Sequence, residues 1–246
     1  MQVIWDWFRW LYQTTGINLT IFYDPFDRHR FADGFLTTVK LSLICIVLSV
    51  LIGVVGAWLQ GSRLRVTRKV VYWYIQFFRN TPPLVQLYFF YFGVGSLLRS
   101  SLGTGNQPLV SNVTWAIISL SFFAGAFNVE IFRSGVEAVP KTTLEAAESL
   151  GFSRLRAYAL IVLPLAFRIS LPALNNNLVN LVKTTTLAYA IAVPEMLYVS
   201  SQIWSDELNV PVMMNVLLVC YFGLVGALVY LMTRWERAIK VPGFGQ

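Results

Sequence analysis

Five long apolar segments, at about residues 34–60, 70–98, 113–132, 157–182 and 211–233, dictate what this chain can fold into. A helix needs about 20 such residues to cross a hydrocarbon core of about 30 Å, and inside lipid it satisfies its own backbone hydrogen bonds. The runs are continuous instead of alternating over about ten residues, which argues against a membrane barrel. Composition agrees. Hydrophobic residues make up 56% of the 246-residue chain and charged ones only 13%, with a mean hydropathy of +0.60. Soluble domains run at about 45–50% apolar and about 25% charged. The reading is an all-α membrane protein with five transmembrane helices.

Orientation follows from where arginine and lysine fall. The connection 61–69 carries Arg63, Arg65, Arg68 and Lys69, and the connection 133–156 carries Arg133, Lys141, Arg154 and Arg156. The C-terminal stretch adds Arg234, Arg237 and Lys240. The loops between are poor in basic residues. Residues 96–112 hold only Arg99, and 195–210 hold none but carry Glu195, Asp206 and Glu207. The stretch before residue 33 sets Arg9, Arg28 and Arg30 against Asp6, Asp24 and Asp27. Rich and poor regions alternate as five spans require, which predicts the N-terminus outside and the C-terminus in the cytoplasm. The net charge of +7 is therefore a sidedness signal and not a nucleic-acid surface.

Residues 1–32 lack the basic start and apolar core of a signal peptide. Val3, Ile4, Trp7, Trp10 and Leu11 share one helical face, and Gln2, Asp6, Arg9 and Gln13 the other. That spacing fits an extracytoplasmic interfacial helix with tryptophan at headgroup depth, or a helix packed on the bundle. Catalytic chemistry finds no foothold. Cys45 and Cys220 sit in apolar runs, and His29 is the single histidine, so neither a disulfide framework nor a metal site is expected. No P-loop, nucleophile elbow or H-E-x-x-H occurs. Uphill transport would draw on an ion gradient or a partner.

The longest basic connection decides the reading. Residues 144–150 are good helix formers, Gly151 reads as a left-handed stop, and an apolar span follows at once. A short helix set outside the bilayer against a span is an elbow that can transmit force, or an ordinary helix–turn–helix connection. Its residues are Glu145-Ala146-Ala147, three residues, Gly151, nine residues, then Ile161-Val162-Leu163-Pro164. This E-A-A-x3-G-x9-I-x-L-P pattern resembles the EAA loop of ABC importer permeases. Thr142-Thr143 stand where that family often has Gly-Gln.

Two further stretches narrow the resemblance. Residues 78–86, Phe-Arg-Asn-Thr-Pro-Pro-Leu-Val-Gln, resemble the F-R-x-T-P-L-L-V-Q signature of polar amino acid permeases of the histidine, glutamate, glutamine and arginine type. Lys183-Thr184-Thr185-Thr186-Leu187 resembles that group's K-x-[ST]-[ST]-L stretch. The resemblance implies a type I, MetI-like permease domain at 33–240, with a coupling loop at about 140–164 and a tail at 241–246. It implies coupling residues Glu145, Ala146, Ala147, Gly151, Ile161, Leu163 and Pro164. It also implies the partners: a second permease subunit, identical or related, a cytoplasmic ATPase pair that binds ATP and magnesium, and an extracytoplasmic binding protein. The setting would be a bacterial cytoplasmic membrane and the cargo a polar L-amino acid.

Polar groups inside spans are costly and face a partner or a cavity. Arg79 lies near the middle of the second segment, and Pro82-Pro83 after it must interrupt the helix. Asn80, Thr81 and Gln86, which is seven residues past Arg79, join it as candidates for a substrate path. Glu130 is the alternative partner, holding Arg79 in a helix–helix ion pair. Glu130, Arg133 and Glu137 are spaced for an ion network of their own. Asn176, Asn180, Lys183, Thr184 and Leu187 form one stripe if the fourth helix runs that far. The competing function is a secondary carrier or small channel independent of ATP, which would need no docking helix.

Overall fold

A computed structural model of the chain describes residues 2–102 and 109–239. Lys240, the tail at 241–246 and part of the loop at 96–112 lie outside the described residues. The described elements are helical throughout: α1 (Gln2–Thr15), α2 (Thr20–Tyr23), α3 (Pro25–Gln60), α4 (Arg65–Asn80), α5 (Pro83–Tyr88), α6 (Gly95–Leu102), α7 (Asn112–Glu137), α8 (Lys141–Ser149), α9 (Arg154–Ala157), α10 (Leu163–Thr184), α11 (Met196–Glu207) and α12 (Val210–Ile239). π-helical turns occupy Phe89–Val94 and Tyr158–Val162, and a 3-10 stretch runs through Thr185–Ile191.

Among the described residues, four helical stretches are long and apolar enough to cross a membrane: Pro25–Gln60, Asn112–Glu137, Arg154–Ile191 and Val210–Ile239. The second expected span differs. It is broken into α4, α5, the π turn and α6, because Thr81 precedes a proline and takes extended φ −118°, ψ 143°. The last turn of α4 carries two side-chain bonds besides its backbone ones. Thr81 Oγ1 donates to the Phe77 carbonyl at 2.7 Å, and Asn80 Nδ2 to the Gln76 carbonyl at 2.8 Å. At the other end, α3 starts where Pro25 needs no amide partner, and the Asp24 carboxylate accepts from the Phe26 and Asp27 amides at 2.8 and 3.0 Å.

The chain divides into two compact units. The first comprises residues 1–44, 84–119 and 182–226, and the second 45–83, 120–181 and 227–246. Every boundary falls inside, or at the end of, one of the five apolar segments. The three basic connections thus belong to one unit and the three poor ones to the other.

In the first unit, Ile21, Val199, Ile203 and Met213 form a core with Phe31, Tyr198, Trp204 and Val216 packed on it. A polar frame ties its loops together. Asn18 donates to Glu207 at 3.1 Å and accepts at its carbonyl from Asn209 at 2.9 Å, while Tyr23 donates to its side chain. Asn112 Nδ2 closes the end of the 3-10 stretch by donating to the Ile191 and Ala192 carbonyls.

In the second unit, helices meet through small residues. A Cβ on Gly53 would stand 2.4 Å from Asn128, and one on Gly56 2.3 Å from Val129, so α3 and α7 touch almost backbone to backbone. Phe132, Leu171, Leu174 and Leu178 make its largest described core, with Ile46, Val50 and Met232 against it.

Candidate functional site

The connection at 140–164 folds nearly as its residues predict. Helix α8 begins at Lys141, three residues earlier than expected, because Pro140 before it favours a helix start. Glu145 therefore lies in the second turn. The expected benefit from the helix dipole, confined to the first turn, does not apply to it. Ala147 is buried, and Leu144 packs on Val139, Val162 and Ala166. Glu145, Ala146, Glu148 and Ser149 face outward.

Gly151 ends the helix with φ +85°. Its amide donates to the Glu148 carbonyl at 3.0 Å, and the Phe152 amide reaches back to Ala147 at 3.1 Å, the paired bonds of a Schellman close. The turn throws Leu150 and Leu155 into the open, each 80% exposed. Ile161 is half-buried, while Leu163 and Pro164 at the start of α10 are exposed. The result is a short helix anchored on one face, with a bare apolar and acidic surface on the other.

The expected pair between Arg79 and Glu130 forms. Arg79 Nη1 stands 3.6 Å from Glu130 Oε2, with its guanidinium 5.4 Å from the Phe127 ring centroid. The same Glu130 oxygen accepts from Arg133 at 3.1 Å, and Arg133 reaches on to Glu137 at 2.7 Å. Side-chain exposures of 40% for Arg79 and 24% for Glu130 leave this charged chain on an open face. Two of its neighbours in the motif turn away: Asn80 and Thr81 spend their donors on the α4 carbonyls. Gln86 is 1% exposed, and the proline break interrupts the helix along which its seven-residue spacing from Arg79 would count.

On α10 the stripe is real in its lower part. Asn176 and Asn180 are exposed one turn apart, Lys183 is exposed in the last turn, and Thr184 is half-buried. Leu187 falls in the 3-10 stretch, since α10 stops at Thr184. Between the exposed asparagines, Asn177 points inward and donates to the Ala124 carbonyl at 3.0 Å and to Asn128 Oδ1 at 2.8 Å.

Nothing in the spacing marks Glu195, yet it is the most enclosed carboxylate described. It is 0% exposed and caps α11, accepting from the Leu197 and Tyr198 amides at 2.9 and 2.8 Å and from the Tyr221 hydroxyl at 3.0 Å. Beside it, Thr38 Oγ1 accepts from the Met196 amide at 2.9 Å. Burial pushes the Glu195 carboxyl above the ordinary carboxylate range, and these donors pull against it.

Long apolar helices joined by a projecting helical elbow are the frame of a multi-pass membrane permease. The chain belongs to the family of binding-protein-dependent transport system inner membrane components, whose model matches residues 49–238. It is 30% identical over 205 residues to the probable amino-acid permease protein YxeN of Bacillus subtilis, covering 83% of this chain and 89% of that one. It is 30% identical over 212 residues to the histidine/lysine/arginine/ornithine transport system permease protein HisM of Salmonella typhimurium, covering 86% and 90%. With the arginine transport system permease protein ArgU of Corynebacterium glutamicum it shares 36% over 190 residues, spanning 75% of this chain and 60% of that protein. The crystal structure of an amino acid ABC transporter with histidines superposes with a TM-score of 0.76 at 26% identity, over 86% of this chain and 94% of the other. The inward-facing MetNI methionine ABC transporter shares the fold, with a TM-score of 0.68 at 19% identity over 89% and 99%.

Proposed function

We propose that this chain is one permease subunit of an ATP-driven, binding-protein-dependent importer of polar L-amino acids in a bacterial cytoplasmic membrane. A second permease subunit, identical or related, completes the path. A cytoplasmic ATPase pair, holding ATP and magnesium, docks on α8, and an extracytoplasmic binding protein delivers the amino acid. This chain supplies no catalytic residue, metal site or cofactor of its own, and no nucleic acid takes part.

The observation that carries the reading is the anchored elbow at 141–164. Its inner face is fixed by Leu144 and Ala147, while Leu150 and Leu155 stand bare beside Glu145 and Ala146. Exposed leucines on a polar connection fit a protein partner better than water. Glu145, Ala146, Ala147 and Gly151 shape the docking helix, and Ile161, Leu163 and Pro164 join it to the span. The alternation of basic and poor connections along the chain supports five spans, with the N-terminus outside and the C-terminus cytoplasmic. Asn176, Asn180, Lys183 and Thr184 are the path-lining candidates, since polar side chains on a spanning helix fit a wet or partner-covered face. Arg79 and Glu130 reach such a path only as a neutralised pair.

The test is Gly151→Leu in the complex reconstituted with its ATPase. At φ +85° a Cβ costs about 1 kcal/mol, while no atom within 4 Å crowds it. The variant should insert and pair with the second permease, yet lose uptake and binding-protein-stimulated ATP hydrolysis together. Full stimulation would remove α8 as the mechanical link. Lys183→Leu should leave ATPase assembly intact and impair uptake; normal uptake would reduce the stripe to a helix contact.

A further inference from the structure

The N-terminal helix has three faces where amphipathic periodicity predicts two. At about 100° per residue, Trp5, Phe8 and Leu11 fall in one third of the helical wheel, Asp6, Arg9 and Gln13 in the next, and Val3, Trp7, Trp10 and Thr14 in the last. The first third is already engaged by the chain. Phe8 stacks on Phe22 with ring centroids 4.5 Å apart, the Arg28 guanidinium lies 4.4 Å from the Trp5 ring centroid, and Leu11 is half-buried. Leu11 lies at the edge between this sector and the tryptophans. The second third is polar and exposed. The last is apolar and bare: Trp7 is 51% exposed and Trp10 55%, with Val3 open beside them.

We infer that this third face lies in the lipid headgroup interface at the end where α3 enters the membrane. Three observations select lipid as the occupant. Only residues 16–24 separate α1 from α3, a membrane-crossing helix, so the packed face holds α1 beside the point of entry. The bare stripe is tryptophan-rich, and an indole ring with one N–H donor suits the boundary between headgroups and acyl chains. Along the chain, Phe26 in the first turn of α3 and Leu36 and Leu43 farther along it are likewise exposed apolar side chains. A flat helix with protein on one side, water above and acyl chains below needs three sectors in this order. The tryptophans therefore fix the depth of the first span's entry, a role independent of what the protein transports.

The test uses the full complex in liposomes of phosphatidylethanolamine and phosphatidylglycerol, with Cys45 and Cys220 replaced by alanine. Nitroxide labels go at Trp7→Cys, Trp10→Cys and, as the water-facing control, Gln13→Cys. Val3→Cys serves if either tryptophan site fails to yield assembled protein. Collision with oxygen against a water-soluble nickel chelate is then read by spin resonance. The oxygen-to-nickel ratio at the stripe should exceed that at Gln13 several-fold. A stripe as open to nickel as Gln13 would place it in water. A stripe shielded from both reagents would place it under a second copy or another protein. Either result overturns the inference.

Discussion

Two carboxylates, one in each compact unit, solve the problem of charge inside an apolar protein in opposite ways. Glu195 is wholly enclosed and held by neutral donors: two amides at the start of α11 and the Tyr221 hydroxyl. Glu130 is partly open and held by two guanidiniums, with Arg133 passing the charge on to Glu137. Neutral, short, buried bonds fix one geometry, because every donor is stranded if the carboxylate moves. A charge shared between two long, exposed arginines can be handed from one to the other at little cost. The first arrangement builds a rigid frame; the second suits a face whose surroundings change.

That contrast is breakable by mutation. Glu195→Ala should have the largest effect, since it strands three donors in a dry site and costs ~2–4 kcal/mol. In detergent the melting temperature should fall by about 5–15 °C. Glu195→Gln keeps the volume and one acceptor oxygen, but its NH2 replaces an oxygen that an amide uses, since Leu197 and Tyr198 bond to separate oxygens, so it should recover only part of the loss. Melting of Glu195→Gln unchanged from the parent would mean that Glu195 fills space and nothing more. Next in size is Tyr221→Phe, which removes one donor and should cost ~1 kcal/mol without changing the α11 start. The smallest shift in stability belongs to Glu130→Gln, below about 1 kcal/mol because exposed ion pairs are worth little. Its uptake rate should fall nonetheless, as Arg79 and Arg133 lose their common anion. If Glu130→Gln melts as low as Glu195→Ala, the distinction between fixed and adjustable sites fails.

How much of this was legible depended on whether partners lie close in sequence. Gly151 could be read because its cause is local: a run of helix formers, a stop, and the two carbonyls closed by the turn all lie within the nine residues 144–152. The Arg79–Glu130 pair could be read because opposite charges inside two spans have few other places to go. Glu195 could not. Its partners at Thr38 and Tyr221 lie far along the chain, and a glutamate in an acidic loop looks like solvated surface. Gln86 was misplaced because helical counting was carried across Pro82-Pro83, where the phase is lost. The start of α8 was set too late by weighing helix formers above Pro140.

The corner at Thr81 carries one more consequence. Pro82 and Pro83 have no N–H, so the Phe78 and Arg79 carbonyls four residues before them find no helical donor there. The Asn80 and Thr81 side chains bond one turn earlier, at Gln76 and Phe77, and so tighten the last turn of α4 without filling that gap. A rigid rod thus stops short of its own corner, and any response to wetting is confined to the stretch from Phe78 onward, where the Arg79 guanidinium also stands.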